Sequence, residues 1–409
     1  MAIVKKNVAV FTGNRAEYGL QVPLLRAIEK HDQLDYKLLV SGAHLDAGFG
    51  MSLSEIESDG FEVYAEIEIE MDANSLYSTA QAIGSGILSI SKVLAELKPD
   101  VMVVYADRFE GFAAVIAATQ MNIPTVHIEG GDLTEGGALD DSVRHAMTKL
   151  SHIHMTTNAQ ASNRILAMGE EAWRVHNVGF PTIDLILEGN YANWEQINGK
   201  FSLDRDRPIV VFTQHSVSTE VDAAKSQILP SLEAIEKLAD MGVQFIITYP
   251  NNDAGGKQIT DELNKFCAQL CNPNIQLHPS IGRFMYHGIL ALSKCESNRV
   301  ACMGNSSSGI KETPAFGCPT LNIGTRQNGR LRGANVLSTN YDAQEIYTGV
   351  KKCLFDEAFR QICRGTNNPY GLGGAGAKIA NIIADTDFDR NLTLKKMTLR
   401  GEVVGNWYR

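Results

Sequence analysis

Read as apolar and polar positions, the chain alternates short runs that are apolar throughout with longer stretches whose apolar residues recur at helical spacing. The runs "NVAVFT" (7–12), "YKLLVSG" (36–42), "VMVVYA" (101–106), "PTVHIE" (124–129) and "HIHMTT" (152–157) predict strands. Between them, residues 76–97 carry Leu76, Ile83, Ile87, Ile90, Val93, Leu94 and Leu97 on a helical repeat. Strands without a polar face, separated by helices, predict a parallel sheet covered on both sides. After the polar stretch 189–207 the pattern restarts with "PIVVFT" (208–213), "VQFIITYP" (243–250), "IQLHP" (275–279), "RVACMG" (299–304) and "PTLNIG" (319–324), with the clearest helix over 221–240. The prediction is α/β: two doubly wound, Rossmann-like domains over 1–189 and 190–374, then a helix and tail over 375–409. Ligands of open parallel sheets bind beyond the carboxyl ends of the strands, so two such domains facing a cleft would line it with their loops.

At 409 residues the chain is too long for one ordinary core. Its apolar fraction of 44% and charged fraction of 21% are those of a soluble globular protein. No run reaches the roughly 18 uncharged residues of a membrane helix, and the opening "MAIVKKNVAVFTGNRAEYG" reads as a first strand, not an export signal. The seven cysteines, an odd number, have no disulfide-framework spacing and complete no zinc site, which points to reduced thiols in the cytoplasm. A net charge of −10 argues against a nucleic-acid partner but not against a small anion held by local donors.

Polar clusters fall where those strands end. "FTGNRAEYG" offers Gly13, for close backbone approach, and Arg15, a two-pronged clamp for phosphate or carboxylate; ordinary turn chemistry is the alternative. "YADRFEG" brings Asp107, Arg108 and Glu110, which an Asp107–Arg108 ion pair would equally explain. "HIEGGDLTEGGALDDSVRH" (127–145) gathers Glu129, Asp132, Glu135, Asp140 and Asp141 among four glycines. Clustered carboxyls raise one another's pKa, which gives an acid and a base near neutral pH, although one aspartate at the helix start has capping to do. In "MGNSSSGIKE", Ser306 and Ser307 at a turn and helix start suit a diphosphate and Glu312 suits a ribose; a serine-capped helix is the alternative. The stretch lacks the Gly-Lys-Ser/Thr end of a Walker loop. "FTQHSVSTE" adds His215, and "YPNNDAGGK" adds Asn251, Asn252 and Asp253.

Together "GNRAEYG", "YADRFE", "HIEGGDLTEGGALDDSVRHAMTKLSH", "VGFPTID", "QHSVSTE", "YPNNDAGGK" and "GNSSSGIKETPAFGCPTLNIGTRQNGR" resemble, in order over roughly residues 7–350, the hydrolysing UDP-N-acetylglucosamine 2-epimerases of sialic and legionaminic acid synthesis. The resemblance implies the glycosyltransferase B-type fold, with a final helix crossing back to the first domain. It implies catalytic acids at Asp107, Glu129 and Asp140, with His215 near the diphosphate. Arg15, Arg144 and Asp184 would line the sugar side, Ser306, Ser307 and Glu312 would hold diphosphate and ribose, and Arg326 lies in the adjoining loop. Asp132 and Glu135 match no role. The uracil positions around "HPSIGRF" are less regular. The expected reaction converts UDP-N-acetylglucosamine and water to UDP and N-acetylmannosamine in a cytoplasmic homo-oligomer, dimer or tetramer, with neither cofactor nor metal. Relatives acting on UDP- or GDP-linked diacetylbacillosamine share nearly all these motifs, and a non-hydrolysing epimerase is a further alternative. A glycosyltransferase or a non-catalytic nucleotide-sugar binder could share the fold and nucleotide site, but the acid-rich "EGGDLTEGGALDD" loop argues against both.

Overall fold

The computed structural model describes residues 5–45, 53–69, 76–134, 139–217, 219–251 and 254–398, with the backbone alone at Arg15, Ala16 and Leu76. The chain forms two compact units. The first comprises Met1–Asp132, Leu139–Asp184 and Gly373–Arg409; the second comprises Leu133–Ala138 and Leu185–Leu372.

The first unit is built on a seven-stranded parallel sheet. Its strands are β1 (Lys6–Thr12), β2 (Leu34–Ser41), β3 (Val63–Ile67), β4 (Val101–Tyr105), β5 (Thr125–Ile128), β6 (Ile153–Thr156) and β7 (Val175–Asn177), in the order β3-β2-β1-β4-β5-β6-β7. On one face, Ala9, Phe11, Leu39, Met102 and Val104 meet Ile90 and Leu94 of helix Leu76–Leu97 and the alanine-rich helix Phe109–Gln120. Truncating Leu94 there to alanine would cost about 2–5 kcal/mol, since no water can replace the lost contacts.

Residues 373–398 belong to this first unit, and the close packing has an identifiable cause. Helix Ala375–Asp385 runs so near helix Arg15–Glu29 that a Cβ on Gly376 would lie 2.4 Å from the carbonyl of Pro23. Lys6 donates to the carbonyls of Ala384 (2.5 Å) and Thr386 (2.9 Å), and buried Arg174 to that of Leu392 (2.8 Å). These cations satisfy helix-end carbonyls that would otherwise be buried unpaired.

The second unit repeats the plan with six parallel strands. They are β8 (Ile209–Thr213), β9 (Gln244–Thr248), β10 (Ile275–His278), β11 (Val300–Gly304), β12 (Thr320–Ile323) and β13 (Val336–Thr339), ordered β10-β9-β8-β11-β12-β13. Val210, Phe212, Phe245 and Ile247 pack under Ile228, Leu232, Ile235 and Leu238 of helix Ala224–Asp240. No described helix is long and apolar enough to cross a membrane.

β3, β7 and β13 were not expected from the sequence. All three are sheet edges and only partly buried, so none has the unbroken apolar run that marks the central strands. In each sheet the strand order reverses once at the middle, at β1/β4 and at β8/β11. Loops that diverge at such a reversal leave room for a ligand. The motifs after β1, β4, β8 and β11 sit on those loops, and those after β5 and β9 on the neighbouring strands.

Candidate active site

In the first unit the site is organised by Arg144, which is 2% exposed on helix Leu139–Leu150. One guanidinium nitrogen bonds the Asp107 carboxylate. The other donates to the Glu129 carbonyl at 3.1 Å and lies 3.9 Å from its carboxylate. Burial alone would lower the pKa of Arg144, but Asp107, Glu129, Asp132 and Asp141 outweigh it and hold the charge firmly in place. Asp107 thus has a buried ion-pair partner in Arg144, and Arg108 lies 3.6 Å from Glu110.

The two carboxylates hang from strained backbone. Ala106, just before Asp107, has φ +53°, and Glu129 has φ +64°, both in the left-handed region that costs a non-glycine residue roughly 1–2 kcal/mol. His127 holds the first of these turns. Its Nε2 lies 2.7 Å from the Ala106 carbonyl and its Nδ1 3.2 Å from Thr148 Oγ1, so Nε2 carries the hydrogen and the Thr148 hydroxyl donates to Nδ1. Burial above all, with Arg144 and His154 nearby, lowers the His127 pKa to about 3 and keeps the ring neutral. Gly130 is required beside it, because a Cβ there would come within 2.9 Å of both His127 Nδ1 and Thr148 Oγ1. Sequence reasoning missed His127 and Thr148, which lie 21 residues apart along the chain; the bond between them exists only once helix Leu139–Leu150 packs beside β5.

The remaining acids of the first unit divide unevenly. Asp141 is 4% exposed and faces Arg144, whereas Asp140 is exposed on the first helical turn. Asp132, expected to have no role, is 3% exposed and adds to the charge that fixes Arg144. Two further buried carboxyls come from the motifs at β1 and β4. Glu17 accepts from the Gly13 amide at 3.1 Å, and its pKa is pushed up to about 8 by burial and by Glu110; burial raises Glu110 too. Asp184 accepts from the amides of Ala375 (3.1 Å) and Gly376 (2.8 Å), so both its oxygens cap the helix Ala375–Asp385. The side chain of Arg15 and the residues Glu135, Asn252 and Asp253 lie outside the described part.

The site of the second unit is assembled mostly by neutral groups, with Arg326 and Glu312 as its charged members. At the β8/β11 reversal the Asn305 amide bridges two loops, accepting from the His215 N–H at 2.7 Å and donating to the His215 carbonyl at 2.9 Å. Gly304, with φ +125°, allows this approach; a Cβ there would sit 1.9 Å from the Thr213 carbonyl. The Asn251 N–H donates to His215 Nδ1 at 3.0 Å, so the hydrogen of a neutral ring is on Nε2. Burial first, then Arg326, lowers the His215 pKa to about 3. The neutral His215 ring therefore offers its Nε2–H as a hydrogen-bond donor. Arg326 reaches the Asn305 carbonyl at 3.4 Å and Gln327 the same oxygen at 2.8 Å.

Ser306 Oγ lies 3.0 Å from Ser308 Oγ, and Ser307 precedes the helix Ser308–Lys311. That helix has only four residues because Glu312-Thr313-Pro314 starts a second short turn, Thr313–Phe316. The helix dipole expected there is correspondingly small, and the polarity of the loop rests on hydroxyls and amides. Glu312 bonds His287 Nε2 at 2.7 Å.

The profile of the family described as UDP-N-acetylglucosamine 2-epimerase matches residues 26–384. The chain belongs to this family. A relative from Legionella pneumophila, named UDP-N,N'-diacetylbacillosamine 2-epimerase (hydrolyzing), is 33% identical over 350 residues, 85% of this chain and 89% of its own. A UDP-N-acetylglucosamine 2-epimerase from Neisseria meningitidis serogroup B is 31% identical and covers 85% and 87%. In structure, the chain resembles a Neisseria meningitidis UDP-GlcNAc 2-epimerase solved with UDP-GlcNAc bound, with a TM-score of 0.78, 20% identity, and coverage of 93% of this chain and 100% of the other. The fold is the two-sheet α/β fold of these epimerases, of the glycosyltransferase B type. As a member of the family, the protein is an enzyme acting on nucleotide sugars.

Proposed function

We propose that the protein is a hydrolysing 2-epimerase that converts UDP-N-acetylglucosamine and water to N-acetylmannosamine and UDP. The observation that carries this reading is the buried guanidinium of Arg144 bonded to both Asp107 and Glu129 at the carboxyl ends of β4 and β5. The C2 proton of an acetamido sugar is far less acidic than a carboxylic acid, so removing it needs a positioned, poorly solvated base and a good leaving group at C1. Asp107, Glu129 and Asp140 are assigned the proton transfers, and Arg15 and Arg144 the sugar side. Ser306, Ser307, the Nε2–H of His215 and Arg326 take up the charge of the departing diphosphate, Asn251 orients His215, and Glu312 accepts from the ribose. Loss of UDP across C1–C2 gives a glycal. A second carboxyl then delivers a proton to C2 from the face that gives the manno configuration, as water adds its oxygen at C1.

The hydrolysing outcome is supported by the 33% identical relative named as hydrolyzing. The same relative favours a second substrate, UDP-N,N'-diacetylbacillosamine, whose C2 chemistry is identical. Product analysis by NMR with each nucleotide sugar tests both. Free UDP and a free 2-epimerised sugar are expected. Accumulation of an intact UDP-linked epimer would replace the reading with non-hydrolysing epimerisation, and faster turnover of the bacillosamine nucleotide would reassign the sugar.

A further inference from the structure

The helix Gly282–Ala291 reaches the Ser306–Glu312 segment with two consecutive side chains. The Tyr286 hydroxyl lies 2.9 Å from Ser308 Oγ, which itself lies 3.0 Å from Ser306 Oγ. His287 Nε2 lies 2.7 Å from Glu312 Oε2; a carboxylate only accepts, so the imidazole donates. His287 is 2% exposed and its ring centroid packs 5.4 Å from that of Phe316, whereas Glu312 keeps 15% exposure. The helix that carries the pair cannot drift, because Gly288 sits so close to Ala192 that a Cβ would meet the Ala192 carbonyl at 2.4 Å.

We infer that Tyr286 and His287 are positioning residues, Tyr286 bracing the serine loop for the diphosphate and His287 fixing one oxygen of Glu312 so that the carboxylate is presented to the ribose hydroxyls. The inference rests on the nucleotide-site reading above and deepens it. The Ser308–Lys311 helix is one turn long and cannot hold Ser306 and Glu312 rigidly from its own hydrogen bonds. An external brace supplies that rigidity, and a pre-aimed acceptor loses less freedom on binding. Burial foremost raises the Tyr286 pKa well above its ordinary value, so the phenol stays protonated at every working pH.

The two braces have different signatures, which titration calorimetry with UDP and with 2',3'-dideoxy-UDP separates. His287→Phe removes the donor and is expected to weaken UDP about tenfold while leaving the dideoxy analogue within about twofold, because only the ribose contact is disturbed. His287→Gln, which keeps an N–H at similar reach, restores most of the preference for UDP. Tyr286→Phe weakens both ligands equally, by about threefold to tenfold, because it acts through the diphosphate loop. Glu312→Gln, by contrast, abolishes the preference for UDP. A wild-type protein that binds the two nucleotides alike would overturn the ribose reading and the His287 brace together. Loss of preference in Glu312→Gln but not in His287→Phe would overturn the brace alone. Unchanged binding in Tyr286→Phe would remove Tyr286 from the proposal.

Discussion

The two units both place their polar loops at the carboxyl ends of inner strands, β4 and β5 in one sheet and β8 and β11 in the other, yet they build those loops from contrasting chemistry. At the ends of β4 and β5 the groups are ionic: a buried guanidinium, the carboxylates of Asp107, Glu129, Asp132 and Asp141 around it, and two strained residues, Ala106 and Glu129. At β8/β11 they are mostly neutral: the Asn305 amide, an uncharged His215, the serine hydroxyls and the Tyr286 phenol. Proton transfer needs groups whose charge can change, and these are stable in a buried site only if paired. Holding a diphosphate needs the reverse, fixed donors with few nearby anions to repel it. On the proposed function, one architecture serves both tasks because function resides in the loops, not in the sheet.

The contrast is broken most severely by Arg144→Met. Removing the countercharge leaves buried carboxylates unpaired, which costs about 3–5 kcal/mol, and calorimetry should record a large fall in Tm. Next come the carboxylates. Asp107→Asn and Glu129→Gln are expected to lower kcat at least ~10²-fold with UDP affinity little changed, as read by steady-state kinetics and calorimetry. Asp140→Asn should do the same without moving Tm, because the residue is exposed, whereas Asp141→Asn, buried against Arg144, should lower Tm. In the neutral site the double change Ser306→Ala and Ser307→Ala should weaken UDP by roughly tenfold or more, since each bond to a charged group is worth about 1.5–3 kcal/mol.

The smallest effect concerns pH. Glu17 has a folded pKa of about 8 against an ordinary 4.5, so the fold binds its proton more tightly than the unfolded chain does. Its contribution is fully present below pH 4.5 and is lost as pH rises through about 8. Glu17→Gln, a permanently neutral stand-in, should therefore raise Tm relative to the native protein more at pH 9 than at pH 5. Thermal scans at the two values check this.

Much of this contrast was legible in the sequence, and for physical reasons. Central strands such as "VMVVYA" announce themselves because burial on both faces forbids polar residues, and the motifs that follow them fall at strand ends by the same logic. The edge strands β3, β7 and β13 stayed hidden because half-buried positions tolerate polar residues. The site was legible as a list of residues and not as a set of pairings. Nothing in spacing tells that Asp107 bonds Arg144, that Asp184 caps a helix nearly 200 residues later, or that His127 fixes the Ala106 turn. Those pairings arise only when separate βα units pack, and the same holds for the reach of His287 to Glu312.

The central claim is that the ionic site of the first unit moves the C2 proton while the neutral site of the second holds the leaving diphosphate. The most direct test is turnover of UDP-N-acetylglucosamine in deuterated water at saturating nucleotide sugar, with C2 followed by NMR in the native protein and in Glu129→Gln. The account predicts one solvent deuterium at C2 of the N-acetylmannosamine made by the native protein, and strongly suppressed incorporation and turnover in Glu129→Gln despite retained UDP binding. Product that keeps its original C2 hydrogen, or undiminished incorporation in Glu129→Gln, would contradict it.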